Sequence, residues 1–456
     1  MLKKIQQDFS YYSHEFKDNY RKGVHRLRTI LASRAQAQAF VSNAGGVAVV
    51  LGYEPDKPDK NAQELYALLM ASPYIDDAVQ TFLGSIYEAG AESQDAMYAD
   101  SARCLEILHD PVMARAAGAG AVSAGKWIAT LAGQSCAAYT GIAAVAASET
   151  AMTAVAASET AMAAVVGNAT ALNAVVTSQV ALNAVAASET AMAAVIGNAT
   201  ALNVVATSQA AMNAVAASET AMTAVAASET AMTAVAASET AIKAIAASYN
   251  GIAAIYSNAT ALAKWNAKPS AVSAIAGTSS VAIGKAAVKL AGLAPDNFAD
   301  MAAVAASSTA MAAVAASDTV MKLVTASAMC LAKFIGSDTA KTALIDHNDM
   351  LQKYRAAIWT AVTGGTDYFT SQRGQKDDDG VTNADITNAA YIMFAIPGGY
   401  NSGSGVTVCC HGHNGKEAAR ASGSYSDNNK RYVLLGGGTF TEVNDGMVRT
   451  WVYKTK

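Results

Sequence analysis

The side chains closest to a reactive constellation are Cys409-Cys410-His411-Gly412-His413. Thiolates and imidazoles are ligands for zinc and iron. On a strand, successive residues point to opposite faces, so four adjacent ligands cannot reach one ion. Cys409, His411 and His413 fall on one face and form the candidate metal site, which symmetry in an oligomer could complete on an axis. The alternative is a strand with buried thiols and surface imidazoles. Other chemistry is thin. Asp377-Asp378-Asp379 before Gly380 lacks the alternating spacing of an EF-hand loop and reads as a solvated turn. Gly436 to Gly438 is followed by no Lys-Ser/Thr pair, so it is no phosphate loop. His14, His25, His109 and His347 are scattered, and no Ser/His/Asp or paired-carboxylate spacing stands out. These residues predict neither an enzyme nor a bound cofactor.

The dominant signal lies in the elements around them. From Ser148 to Ser248 the chain repeats every ten residues, with the unit Ser-Glu-Thr-Ala-Met-Thr-Ala-Val-Ala-Ala. Ser and Asn are strong helix N-caps, because the side-chain oxygen accepts from a free amide of the first turn. The predicted caps are Ser148, Ser158, Asn168, Ser178, Ser188, Asn198, Ser208, Ser218, Ser228 and Ser238. A glutamate often follows, favoured by the helix dipole. Large apolar residues stand four and seven places after each cap, as in Met152 and Val155 or Leu172 and Val175, and share one helical face. A longer echo overlies the decad: residues 167–196 are nearly copied by residues 197–226, a block of three decads.

A continuous helix accommodates this poorly. Ten residues at roughly 100° each fall some 80° short of three turns, so the apolar stripe would wind around the helix. The sequence therefore predicts short capped helices that stop, restart and stack as a helical solenoid. A β-solenoid is the second reading, but Ala and Met suit strands badly. Helices this short are unstable alone and must be held by stacking or by partner chains. Fixed-period arrays of this kind are scaffolds more often than catalysts.

The chain has 456 residues, a net charge of −4 and 15% charged residues. No basic stripe points to nucleic acid. No uninterrupted apolar run of 18 residues points to a membrane span. The N-terminal stretch lacks the apolar core of a signal peptide. Cys104, Cys136, Cys330, Cys409 and Cys410 form no disulfide framework and read as reduced thiols of a protein made in a cytoplasm.

The expected fold is mainly α, an elongated array of short capped helices ending in a small all-β domain. Residues 1–60 read as a helical head, with an amphipathic charged helix from about Leu2 to Arg34 and then the apolar stretch VAVVLGY. Residues 61–140 read as diverged helical repeats, with Ser93 and Ser101 as starts. Residues 141–345 form the decapeptide shaft, disturbed at about 262–296 and returning out of phase at Asn297, Ser307, Ser317, Ser327 and Ser337. Residues 346–384 are a helix, about Ile345 to Val362, and a linker. Residues 385–456, short β-like runs between glycines, are the C-terminal β domain.

The decads, with SNATALAKW at Ser257 to Trp265, resemble repeats of phage tail-fibre proteins over about Ser148 to Asp338. The resemblance implies a virion fibre, commonly a homotrimer: an N-terminal end docked on other virion proteins, a shaft, and a C-terminal tip that binds a host-surface glycan or protein. A collar or head fibre (a whisker) fits the same layout. No collagen-like or coiled-coil shaft is visible. A different reading is an ice- or surface-binding protein, because Thr recurs two places after the cap at Thr150, Thr160, Thr170, Thr190 and Thr200. The sequence gives no expectation of nucleic-acid binding or membrane insertion.

Overall fold

The computed structural model describes residues 10–16, 20–52, 60–87, 93–376, 391–395, 406–411, 417–423, 431–435, 439–443 and 448–455. It is mainly helical. The chain falls into two compact units, Met1–Ala234 and Val235–Lys456.

The first unit opens with short helices rather than one long one. Residues 10–16 are helical, followed by Tyr20–Ala32, Arg34–Val41, Ala44–Leu51, Lys60–Met70, Ile75–Tyr87 and Gln94–Tyr98. The single helix expected from Leu2 to Arg34 is thus interrupted, and Ser33, in the extended region, opens the next helix. Tyr12 stacks on Phe16, and Phe40 meets both rings edge-on, which forms an aromatic core. The VAVVLGY stretch is the helix Ala44–Leu51, capped by Asn43 and buried over most of its length. Ser93 is a cap, as expected. Ser101 is not: Asp100 caps Ser101–His109, so Cys104 and Ile107 are buried while Leu105 stays 40% exposed. Asp100 accepts from both the Ala102 and Arg103 amides, which shifts the start one residue from the expected Ser101.

From Ser148 onward each decad is one two-turn helix. Glu149–Ala157, Glu159–Val166, Ala169–Thr177, Gln179–Ala187 and their successors begin after a cap in the extended region, such as Ser158 at φ −103 and ψ 117. One residue ends one helix and starts another. The Ser158 amide donates to the Val155 carbonyl behind it, while its own carbonyl accepts from the Met162 amide ahead. Consecutive helices meet at about 100°: 100° between Glu159–Val166 and Ala169–Thr177, and 99° between Gln179–Ala187 and Glu189–Gly197. Three such corners return the chain to its starting side, and within a unit helices pack on the helix three places along, as Glu149–Ala157 on Gln179–Ala187 and Ser308–Ala316 on Asp338–Asp346. One layer of the solenoid is therefore three decads. That explains the block of three seen in the sequence: the copied unit is one full turn.

The apolar positions point inward as expected. Ala151, Met152 and Val155, and their equivalents in later decads, are buried.

A second copy of one particular arrangement starts each solenoid run. In the first unit, Ala121–Leu131 is followed by a 3-10 turn at Cys136–Ala138 and then by Ile142–Ala147. In the second unit, Ser280–Leu290, Pro295–Asn297 and Met301–Ala306 repeat that order. Gly125, Lys126, Leu131 and Gly133 recur at constant displacement as Gly284, Lys285, Leu290 and Gly292. Gly133 and Gly292 both turn the chain at positive φ, 71° and 80°. Gly125 and Gly284 both let a backbone pass so closely that a Cβ would lie 2.1 Å from the Gly141 carbonyl carbon or 2.5 Å from the Met301 nitrogen. This copy accounts for the disturbance at about 262–296. Asn297 is no cap, since it ends the 3-10 turn. Ser307, Ser317, Ser327 and Ser337 are caps.

The second unit contains Glu239–Ala247, Tyr249–Ser257, Ala259–Asn266 and Pro269–Ala276 ahead of that arrangement, and Ser308–Ala316, Asp318–Val324, Ala328–Ile335 and Asp338–Asp346 after it. The helix expected from Ile345 to Val362 is two, Asn348–Lys353 and Arg355–Gly364, parted at Tyr354, whose hydroxyl donates to the Asp318 carbonyl and carboxylate. Among the described residues seven strands follow: β1 (Phe369–Lys376), β2 (Tyr391–Ala395), β3 (Val406–His411), β4 (Glu417–Gly423), β5 (Arg431–Leu435), β6 (Thr439–Val443) and β7 (Val448–Thr455). They pair antiparallel in two sheets, ordered β1-β7-β2-β5 and β4-β3-β6. The linker expected at residues 364–384 lies outside the described residues from residue 377 onward, and its earlier part runs into β1.

Candidate functional sites

The cap is the recurring polar site. Its oxygen accepts from the amide three residues on, as in Ala151 to Ser148 at 3.2 Å, Ala161 to Ser158 at 3.2 Å and Ala171 to Asn168 at 3.1 Å. The remaining predicted caps behave alike: Ser178, Ser188, Asn198, Ser208, Ser218, Ser228 and Ser238 each accept from their own third residue. A second role was not expected. The Ser178 hydroxyl donates to the Ala146 carbonyl at 2.5 Å, and Ser188 to Ala156 at 2.5 Å. Ser218 does the same to Ala186. In the second unit Thr278, the residue before the cap Ser279, donates to Ala246 at 2.5 Å, and the cap Ser337 donates to Ala305 at 2.6 Å. One hydroxyl thus satisfies a free amide at the start of its own helix and a free carbonyl at the end of a helix one layer below. A residue able to donate and accept from one atom suits both tasks.

Because three decads make a layer, outward residues thirty apart form columns, and the three sides differ. One side carries Glu159, Glu189 and Glu219 with Thr160, Thr190 and Thr220. The next carries Thr170 and Thr200, Asn173 and Asn203, and Thr177 and Thr207. The third carries Gln179 and Gln209, each donating to Asn183 or Asn213 at 2.9 and 2.8 Å. Thr therefore stands in a column on two sides. On the third side, Thr150 is followed by Val180 and Ala210. Some of these hydroxyls are engaged: Thr160 bonds Ser158 at 3.0 Å, and Thr170 donates to the Ala119 carbonyl at 3.4 Å.

The candidate metal ligands fall on β3. Cys409 and His411 lie on this strand, and His413 lies outside the described residues. The pairing of β3 shifts register between Cys409 and Cys410 against β6, and between Cys410 and His411 against β4. At each shift the extra residue lies on the partner strand, between Glu417 and Ala419 of β4 and between Phe440 and Glu442 of β6. Among the described residues, no group of three His, Cys, Asp or Glu could hold a metal. Cys104, Cys136 and Cys330 are free and buried. Burial pushes the Cys104 and Cys330 thiols up to about 12, so they stay protonated and unreactive at neutral pH.

Two features went unread in the sequence. Lys126, 8% exposed, donates to Asp95 at 2.5 Å and to the Tyr139 carbonyl at 3.0 Å, which ties the first run to the helix Gln94–Tyr98. An open groove of about 550 Å³ lies between Glu239–Ala247 and Pro269–Ala276, one layer apart. Neither had a signal in residue spacing, because each joins segments far apart along the chain.

No protein-family model matches the chain, and the comparison with curated proteins gives no match. Among the described residues no single helix is long and apolar enough to cross a membrane.

Proposed function

We propose that the chain is a structural fibre of a bacteriophage virion, with its N-terminal region docked on other virion proteins and its C-terminal β region contacting a host-surface glycan or protein. The observation that carries this reading is the layer itself. Each added block of three decads extends the solenoid by one turn without altering its core of Ala, Met, Leu and Val, which is how a scaffold gains length. The buried thiols, the fully employed caps and the even core fit a spacer better than a reaction site. The resemblance of the decads to tail-fibre repeats supports the same function. The β region supplies what the array lacks, a non-repeating surface at one end of the sequence. In this reading the fibre is a homotrimer, with chemically distinct sides available for contact between copies.

The test is a particle carrying the chain truncated after Thr363. The fibre reading expects the truncated protein to be incorporated and adsorption to cells to fall. Unchanged adsorption would remove the tip assignment and favour a structural whisker. The Thr columns Thr160, Thr190, Thr220 and Thr170, Thr200 favour one alternative, binding to ice or another periodic surface. Thermal hysteresis by the purified protein would support it, and ordinary ice growth in its presence would remove it.

A further inference from the structure

We infer that the cationic face of the helix Tyr20–Ala32 docks on the glutamate column, Glu159 and Glu189, of a second copy of this chain. The helix turns its apolar side to the head. Val24 and Leu27 are buried, and the helix packs on Arg34–Val41 and Lys60–Met70. Its other side is open. Arg21, Lys22, His25, Arg26 and Arg28 are all exposed, and residues 20–34 contain no Asp or Glu. Among the described residues this face makes one ion pair, Arg26 to Glu15 at 3.9 Å, and both of those side chains are open to solvent. The chain as a whole carries −4, so the cations gathered on this helix stand against an acidic remainder.

The decads of the same unit, Met1–Ala234, carry the opposite charge. From residue 127 to residue 234 there is no Lys, Arg or Asp, and every charge is a glutamate. Glu159 and Glu189 are exposed equivalents one layer apart on one side. Between and beside them Ala163, Gly167 and Ala193 are exposed and small, so a helix could lie close. The spacings match. Arg21 and Arg28 are seven positions apart, which is about 700°, within roughly 20° of two full turns, so they share one line along the helix about 10 Å apart. Helices stacked one layer apart stand about 8–10 Å apart, and equivalent carboxylates repeat at that distance. A helix laid along the stacking direction therefore sets Arg21 on one carboxylate and Arg28 on the next, with Lys22 and Arg26 beside them. An isolated exposed pair contributes little. Several at matched spacing, with no like charge on either face, act together and steer the approach. Among the described residues no ion pair joins this helix to a decad of its own copy, which leaves both faces for a neighbour. The inference rests on the association of copies in the fibre reading and on no other part of it.

The test is sedimentation equilibrium of the full-length chain at neutral pH. The wild type is expected to self-associate at about 0.1 M salt and to weaken at least about tenfold at about 1 M, as the Debye length falls from about 10 to about 3 Å. Arg21→Glu with Arg28→Glu should weaken association at least about tenfold, and so should Glu159→Arg with Glu189→Arg, while circular dichroism shows both variants folded. All four substitutions in one chain should restore most of the association, because the charges are exchanged and not lost. That recovery separates a docking contact from damage to the fold. A wild type that stays monomeric would overturn the proposal, and the association of copies with it, and would leave the cationic face to an acidic partner of another kind. Copies that associate regardless of salt and of both paired substitutions would overturn this contact alone. Failure of the fourfold variant to recover would also count against it.

Discussion

The double duty of the cap hydroxyl can be tested with one substitution at two places. Aspartate is as good a cap acceptor as serine, but an ionised carboxylate cannot donate. Ser148 accepts from Ala151 and donates to no carbonyl of a lower layer among the described residues. Ser188 accepts from Ala191 at 3.2 Å and also donates to Ala156 at 2.5 Å. Ser148→Asp should therefore be close to neutral, within about 0.5 kcal/mol. Ser188→Asp keeps the cap, loses one hydrogen bond and leaves the Ala156 carbonyl, in a residue 1% exposed, facing a carboxylate. A stranded buried acceptor costs about 1–3 kcal/mol, so we expect about 2 kcal/mol. For a cooperative unit of this size that lowers the melting temperature by about 4–8 °C. Thermal unfolding of the full chain at pH 7, followed by circular dichroism, reads the difference. Equal melting of Ser148→Asp and Ser188→Asp would refute the interlayer role of the hydroxyl.

Further outcomes follow from the same geometry. Deleting residues 168–197, one whole layer, should leave stability per layer and the outward columns intact. Deleting residues 168–177 should still fold but move every later decad to a new side, and deleting five residues should lower the melting temperature sharply. Melting temperatures of the three deletions check this. Gly125→Ala should cost about 3 kcal/mol or more, because its Cβ would meet the Gly141 backbone at 2.1 Å. Gly197→Ala, with nothing within 4 Å, should gain about 0.5–1 kcal/mol, and urea titration separates the two. Asp300 is held below the usual carboxylate range chiefly by its bond from the Ala303 amide. A carboxylate lowered by folding stabilises above its unfolded pKa and loses that contribution as pH falls, so Asp300→Asn should flatten the acid limb of stability; an unchanged limb would contradict this.

Local chemistry was legible in the sequence, and geometry at corners was not. The caps from Ser148 to Ser238 and the buried pairs such as Met152 and Val155 follow from residue type alone, because each decad carries its own start signal and its own apolar face. The three-decad layer does not follow from composition. It depends on the angle set by one extended residue, and Ser, Asn and Thr can all adopt that conformation. The copied block at residues 167–226 was the visible trace of it. Phase errors arose where two acceptors compete, as at Asp100 and Ser101, or where a 3-10 turn consumes residues, as at Pro295–Asn297. The groove was invisible because its walls lie a full layer apart in the chain. The Cys409, His411 and His413 reading rests on strand alternation, and of these three residues the described strand β3 includes Cys409 and His411.

The central claim is that thirty residues make one turn. Spin labels at Ala157 and Ala187, exposed equivalents one layer apart, measure it directly by electron paramagnetic resonance. The layered solenoid predicts a backbone separation of about 8–10 Å, seen as strong dipolar broadening, and about twice that for Ala157 and Ala217. A separation near 45 Å for the first pair, the rise of thirty residues of continuous helix, would contradict it.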